Sequence, residues 1–270
     1  SGTGGSLSAR TRAMELIVQP DIESLAQAAA ARIIAASEDA IAARGRFTIA
    51  LAGGSTPAAL YRLLAAPSNS DRLNWLHTEV FFGDERCVPP EHEWSNYGMA
   101  SRTLLSHVPL PAHQCHRMEG ELPPAAAASS YAHTLACVFD LRAAPWPRLD
   151  VILLGMGEDG HTASLFPGME ALAEGSKTVV ATEVPAYVRP QVPRVTLTLP
   201  VLNAGREVMF LVAGQGKAAM TRRVLEEASS KKGEEELLPS ARVRPALVRP
   251  APGQLTWFLD RAAASQLGEV

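Results

Sequence analysis

The chain has 270 residues, 47% hydrophobic and 20% charged, which is enough to bury a sizeable core and is ordinary for a soluble globular protein. Its formal net charge of −3 is not concentrated in blocks of either sign, which argues against a nucleic-acid partner, and no run approaches the ~20 apolar residues of a membrane span. Three widely spaced cysteines, Cys87, Cys115 and Cys137, suit reduced thiols in a cytoplasmic protein better than a disulfide framework.

Residues 1–13 are rich in Gly, Ser, Thr and Arg and lack the apolar centre of a secretory signal. They read as a disordered leader or expression scar ahead of Met14, and 14–270 as one α/β domain. From Asp21 to Arg44 an alanine-rich segment with Leu25, Ile33, Ile34 and Ile41 at helical spacing predicts a helix, closed by Gly45. Phe47 to Ala52 is a short apolar run suited to a buried parallel strand, and it stops at Gly53-Gly54. Ser55-Thr56-Pro57 then opens a second helix, with proline tolerated in its first turn.

The same grammar recurs. Thr78 to Phe82 predicts a strand halting at Gly83-Asp84-Glu85-Arg86, and Asp150 to Leu154 one halting at Gly155-Met156-Gly157. Arg194 to Leu199 and Val208 to Val212 predict two more, the latter ending at Gly214 before a helix from about Lys217. Ser229 to Glu236 is a charge run suited to a surface loop. Alternating strands and helices with glycine-rich junctions predict an α/β fold, a mostly parallel sheet with helices on both faces. Ligands of such sheets bind beyond the carboxyl ends of the strands, which directs attention to residues 53–57, 83–86, 155–161 and 214–217.

At the first junction, Gly53 and Gly54 let the backbone approach a ligand, and the amides and hydroxyls of Ser55 and Thr56 suit an anion at a helix N-terminus. A plain capped turn is the alternative there, and neither a Walker loop nor a dinucleotide fingerprint fits. At the second, Arg86 offers a planar fork for phosphate or carboxylate, against the alternative of a salt-bridged surface turn. The third junction carries most. Gly155, Gly157 and Gly160 hold a loop in which Asp159 and His161 flank the last glycine, so a carboxylate sits beside the natural general base near neutral pH. Arg194 and Lys217 sit where an anionic ligand needs cations, although isolated surface charges are common. His113-Gln114-Cys115-His116 and Glu91-His92-Glu93 hold potential ligands without the spacing of a zinc site, so no metal is expected.

Gly53-Gly54-Ser55-Thr56-Pro57, Gly83-Asp84-Glu85-Arg86, Ser95-Asn96 and above all Gly155 through Pro167 resemble the 6-phosphogluconolactonase family in order and spacing. Val192 to Leu197, Lys217, Ala241-Arg242-Val243 and Trp257 to Asp260 continue the likeness, which runs from about Met14 to the C-terminus. The resemblance implies a Rossmann-like fold shared with glucosamine-6-phosphate deaminase. It implies hydrolysis of 6-phospho-D-glucono-1,5-lactone to 6-phospho-D-gluconate in the oxidative pentose phosphate pathway, without a cofactor; the sequence itself does not reveal the oligomeric state, and a monomer or small homo-oligomer is expected. On it, His161 is the base that activates water, Asp159 its support, and Arg86, Arg194 and Lys217 the cations for phosphate or oxyanion. Gly53, Gly54, Ser55, Thr56, Asp84, Asn96 and Gly157 complete the expected substrate contacts. The deaminase carries a glutamate five residues after the histidine, where this chain has Phe166, and tends to have tyrosine where this chain has Arg86. Both departures favour the lactonase over the deaminase. A sugar-phosphate sensor is the non-enzyme alternative, and nothing before Phe47 reads as its helix-turn-helix.

Overall fold

Strands whose apolar residues run without a break need cover on both faces, and this chain supplies it. The computed structural model describes residues 14–248 and 251–268, and the reading of 1–13 lies outside them. In chain order it gives β1 (Glu15–Gln19), α1 (Ile22–Arg44), β2 (Phe47–Leu51), α2 (Ser55–Ala65), α3 (Pro67–Ser70), β3 (Thr78–Phe82) and β4 (Asp84–Arg86). Then follow α4 (Asn96–Thr103), α5 (Pro124–Val138), β5 (Val151–Leu154), β6 (Val179–Thr182) and β7 (Arg194–Leu197). The last are α6 (Leu199–Ala204), β8 (Glu207–Val212), α7 (Ala218–Ala228) and β9 (Gln254–Asp260).

Six strands form one sheet in the order β1-β9-β8-β5-β2-β3, every neighbouring pair parallel. Period-two alternation divides their side chains between two cores. Phe47, Ile49 and Leu51 of β2, with Val151 and Leu153 of β5, face α1 and α2 through Leu25, Ile33, Leu60 and Tyr61. Ile152 and Leu154, with Phe210 and Trp257, face α5, α6 and α7 through Leu135, Leu202 and Val224. Phe210 and Trp257 are register partners on adjacent strands and stack with centroids 3.9 Å apart. The long first helix starts where Asp21 accepts from Ser24 N at 2.8 Å and ends where Gly45 takes a left-handed φ of 76°. No helix among the described residues is long and apolar enough to cross a membrane.

Two expectations are corrected. The segment 83–86 is not a strand-to-helix loop: Asp84–Arg86 forms the short strand β4 of a second, antiparallel sheet ordered β4-β7-β6. The run from Arg194 to Leu199 belongs to that same small sheet as β7, and it ends at Leu197 because Leu199 and Pro200 begin α6. Proline removes a ladder donor but suits a helix's first turn, so the chain changes structure there.

Strand order places the ligand end. After β2 the chain steps to β3 on one side, then crosses to β5 on the other and continues outward to β8 and β9. Connections that diverge from adjacent strands leave a crevice at their carboxyl ends. The pairing reflects it: β2 matches β3 over five residue pairs but β5 over two, Ile49 with Val151 and Ala50 with Ile152.

Candidate active site

A cavity of about 280 Å³ opens at that crevice. Gly53 and Gly54 reach it from the end of β2, Gly83, Asp84 and Arg86 from the end of β3 and from β4, and Gly155, Gly157 and His161 from the end of β5. Asn96 of α4, Arg194 of β7 and Lys217 complete the polar lining, with Leu153, Leu154 and Met156 as its apolar part. Of the residues expected at the site, Ser55 and Thr56 are not among those lining the cavity, and Asp159 stands behind His161. Ser55 is exposed in the first turn of α2, whose N-terminus no side chain caps.

The histidine loop is held from several directions. Gly157 N donates to His161 O at 2.9 Å and Gly160 N to Gly157 O at 3.0 Å, while Thr162 Oγ1 bonds Gly155 O at 2.8 Å. Gly160 has a φ of 80°, a conformation that glycine adopts without strain. A Cβ on Gly157 would overlap the His161 ring, so glycine there makes room for the imidazole. His161 Nδ1 lies 2.5 Å from Asp159 Oδ1, and Tyr187 OH donates to Asp159 Oδ2 at 2.8 Å. Burial works against ionising Asp159, but the hydrogen bond and charge of His161, with Tyr187, overcome it and hold the carboxyl at about 2. An ionised carboxylate only accepts, so Nδ1 carries a proton, and a ring that gives up its other proton does so at Nε2 and holds the lone pair there. Nε2 has no hydrogen-bond partner among the described residues. Phe166, fully buried, packs against the imidazole with centroids 4.6 Å apart.

The cations come mainly from the small sheet. Arg86 and Arg194 are register partners on β4 and β7, directly opposite one another. Arg194 is 3% exposed, and burial, followed by repulsion from Arg86, pushes it down to about 10, so it stays charged at neutral pH. Its Nε and one terminal nitrogen donate to Val192 O and Pro190 O, and Arg86 donates to Trp94 O at 2.8 Å. These carbonyls orient the guanidiniums without neutralising them. Lys217 Nζ donates to Met156 O at 2.8 Å, which ties the third cation to the histidine loop. Asp84 is the carboxylate of the lining, and both its oxygens are engaged, by Ser164 Oγ at 2.6 Å and Asn96 Nδ2 at 3.2 Å. The result is an anion-attracting cavity with a histidine on its wall.

Sequence reasoning passed over three residues that build this arrangement. Glu85 is buried and accepts from Arg86 N, Ser95 Oγ, Asn96 N and Tyr97 N at 2.7–3.0 Å, so a carboxylate from β4 seats the start of α4. Asn96 is thereby fixed against Gly53, where a Cβ would collide with its side-chain amide. Ser164 links the histidine loop to Asp84, and Tyr187 reaches Asp159 from 28 positions away. Glu85 and Ser164 lay inside the quoted motifs, where an acid or hydroxyl next to a site residue was the available signal. Tyr187 gave none.

Over residues 20–257 the sequence matches the family described as glucosamine-6-phosphate isomerases/6-phosphogluconolactonase. A 6-phosphogluconolactonase of Nostoc sp. is 38% identical over 251 residues, which cover 93% of this chain and 97% of the relative. Among solved structures, a 6-phosphogluconolactonase from Trypanosoma cruzi aligns with a TM-score of 0.79 at 29% identity, covering 94% of this chain and 97% of its own. A monomeric glucosamine-6-phosphate deaminase shares the fold, with a TM-score of 0.75 at 19% identity over 94% of this chain and 100% of its own.

Proposed function

This chain belongs to the glucosamine-6-phosphate isomerase/6-phosphogluconolactonase family, and from that premise we propose that it hydrolyses 6-phospho-D-glucono-1,5-lactone to 6-phospho-D-gluconate, with His161 as general base. The observation that carries this reading is the hydrogen-bonded series Tyr187–Asp159–His161 ending on a cavity with two unneutralised guanidiniums. Nε2 of His161 takes a proton from water as the water oxygen attacks the C1 carbonyl. Asp159 holds the ring in the required tautomer and stabilises the imidazolium that forms. A δ-lactone needs only this, because its carbonyl accepts water without a covalent enzyme intermediate. The tetrahedral oxyanion collapses with cleavage of the C1–O5 bond, and the imidazolium returns its proton to the departing O5.

The substrate's phosphate is drawn by Arg86, Arg194 and Lys217, with the backbone of Gly53 and Gly54 in the same lining. A deaminase-type isomerisation needs a second proton-transfer group near the histidine, and the buried phenyl ring of Phe166 stands there instead. The test is loss of freshly generated 6-phosphogluconolactone measured against spontaneous hydrolysis in the same buffer. His161→Ala is expected to lower kcat by about 10²–10⁴ with its thermal unfolding intact. A near-normal kcat in that variant removes His161 from the mechanism, and consumption of glucosamine 6-phosphate instead of the lactone overturns the assignment.

A further inference from the structure

The opposite end of the sheet carries a second basic cavity. Three adjacent strands, β8, β5 and β2, each begin beside arginine: Arg206 directly before β8, Arg148 shortly before β5, and Arg44 and Arg46 before β2. Their side chains, with Asp150 and Trp146, line a cavity of about 170 Å³. Asp150 is the carboxylate they share. Its Oδ1 meets Arg44 at 2.7 Å and Arg206 Nε at 3.4 Å, and its Oδ2 accepts from Thr48 N and Oγ1 at 2.8 and 2.9 Å. Asp140, the other acid in the lining, pairs with Arg142 at 3.3 Å on the exposed surface.

Four guanidiniums therefore line one cavity, and Asp150 pairs with two of them, Arg44 and Arg206. Arg46 donates to Val138 O at 3.0 Å and Arg148 to Pro252 O at 3.3 Å, contacts that orient the groups and leave their charge in place. Arg148 Nε is buried with no hydrogen-bond partner among the described residues. Burial, then repulsion from Arg44, lowers the pKa of Arg148, and burial, then Arg148 and Arg44, lowers that of Arg206. A fold gains nothing from gathering like charges around a cavity, whereas a phosphoryl group would neutralise them with paired hydrogen bonds.

We propose that this cavity is a second anion site, separate from the one at the carboxyl ends, which takes a small ligand bearing a phosphoryl dianion on Arg46, Arg148 and Arg206. Asp150, saturated by Thr48 and Arg44, acts there as the fixed counter-charge that keeps the arginines in place. The site stands whether or not the lactonase reading holds.

Calorimetric titration of the full chain with inorganic pyrophosphate tests it, run beside Arg148→Gln/Arg206→Gln and beside Arg86→Gln. The parent and Arg86→Gln are expected to bind at the basal cavity alike, while the double variant loses that event or weakens it by about tenfold or more. The double variant's lactone hydrolysis without pyrophosphate should match the parent's. Superimposable titrations of parent and double variant overturn the proposal, as does a parent that binds no pyrophosphate. Should the double variant not fold, Arg46→Gln, which leaves the Asp150 pairs untouched, must weaken binding about threefold or more for the site to stand.

Discussion

Asp159 shows how one carboxylate sets the behaviour of its neighbour. Its two oxygens are divided between His161 and Tyr187, so the imidazole is fixed in orientation and tautomer by a group that is itself fixed. That has a consequence in acid. The folded carboxyl titrates at about 2 against an ordinary 3.8, so its stabilising contribution is fully present above pH 3.8 and is lost as pH falls toward 2. Asp159→Asn is therefore expected to be less stable than the parent by a constant margin above about pH 4, with that margin shrinking between pH 4 and 2. Melting temperatures of the two proteins across pH 2–7 measure it, and a margin independent of pH through that window contradicts the assignment. The same variant should lose kcat far more than it raises KM, since the neutral amide leaves the cavity's cations alone but removes the negative charge that would stabilise the imidazolium.

At the scale of elements, the join between β4 and α4 decides where the cations and Asn96 stand. The first amides of a helix lack internal partners, and here Glu85 satisfies those of Asn96 and Tyr97 while Ser95 satisfies that of Gly98 at 3.0 Å. Burial pushes the Glu85 carboxyl up, against the pull of those same amides. Glu85→Ala would strand several buried donors, and unfolding in denaturant is expected to show a loss of about 2–4 kcal/mol. A change below about 0.5 kcal/mol, the size of an ordinary surface substitution, would mean water replaces the carboxylate without cost. The glycine junctions after β2, β5 and β8 were legible in the sequence because unbroken apolar runs stopping at glycine have few other readings. So was the cluster of Gly157, Asp159 and His161, whose residue types are bound to one loop. The small sheet was not legible. A three-residue strand such as Asp84–Arg86 is too short for any periodicity, and its charged residues read as a loop. Ser55 and Thr56 follow the expected helix start, yet the cavity is lined by Gly53 and Gly54 just before them.

Across the whole molecule, the candidate site lies between two sheets. His161 hangs from the parallel sheet at the end of β5, and the paired arginines come from the antiparallel one. Like charges directly opposite on paired strands are unfavourable, so a phosphate held there, as proposed, would relieve the repulsion between Arg86 and Arg194. At a hundredfold excess over its Kd, 6-phosphogluconate should stabilise the fold by about 2.7 kcal/mol, raising the melting temperature by roughly 5–10 °C. Differential scanning calorimetry reads this directly. Arg194→Met should abolish most of the rise, and an undiminished rise would place the ligand's charge elsewhere. The division of the site also bears on how such proteins diversify. Because the His161 loop and the paired arginines belong to separate sheets that meet through Ser164, which bonds Asp84 and Thr196, substitutions that spare those contacts should leave the other part's geometry standing. If the proposed roles hold, a lineage could exchange the cargo it grips while inheriting its water chemistry unaltered, or keep the grip and rewrite the chemistry.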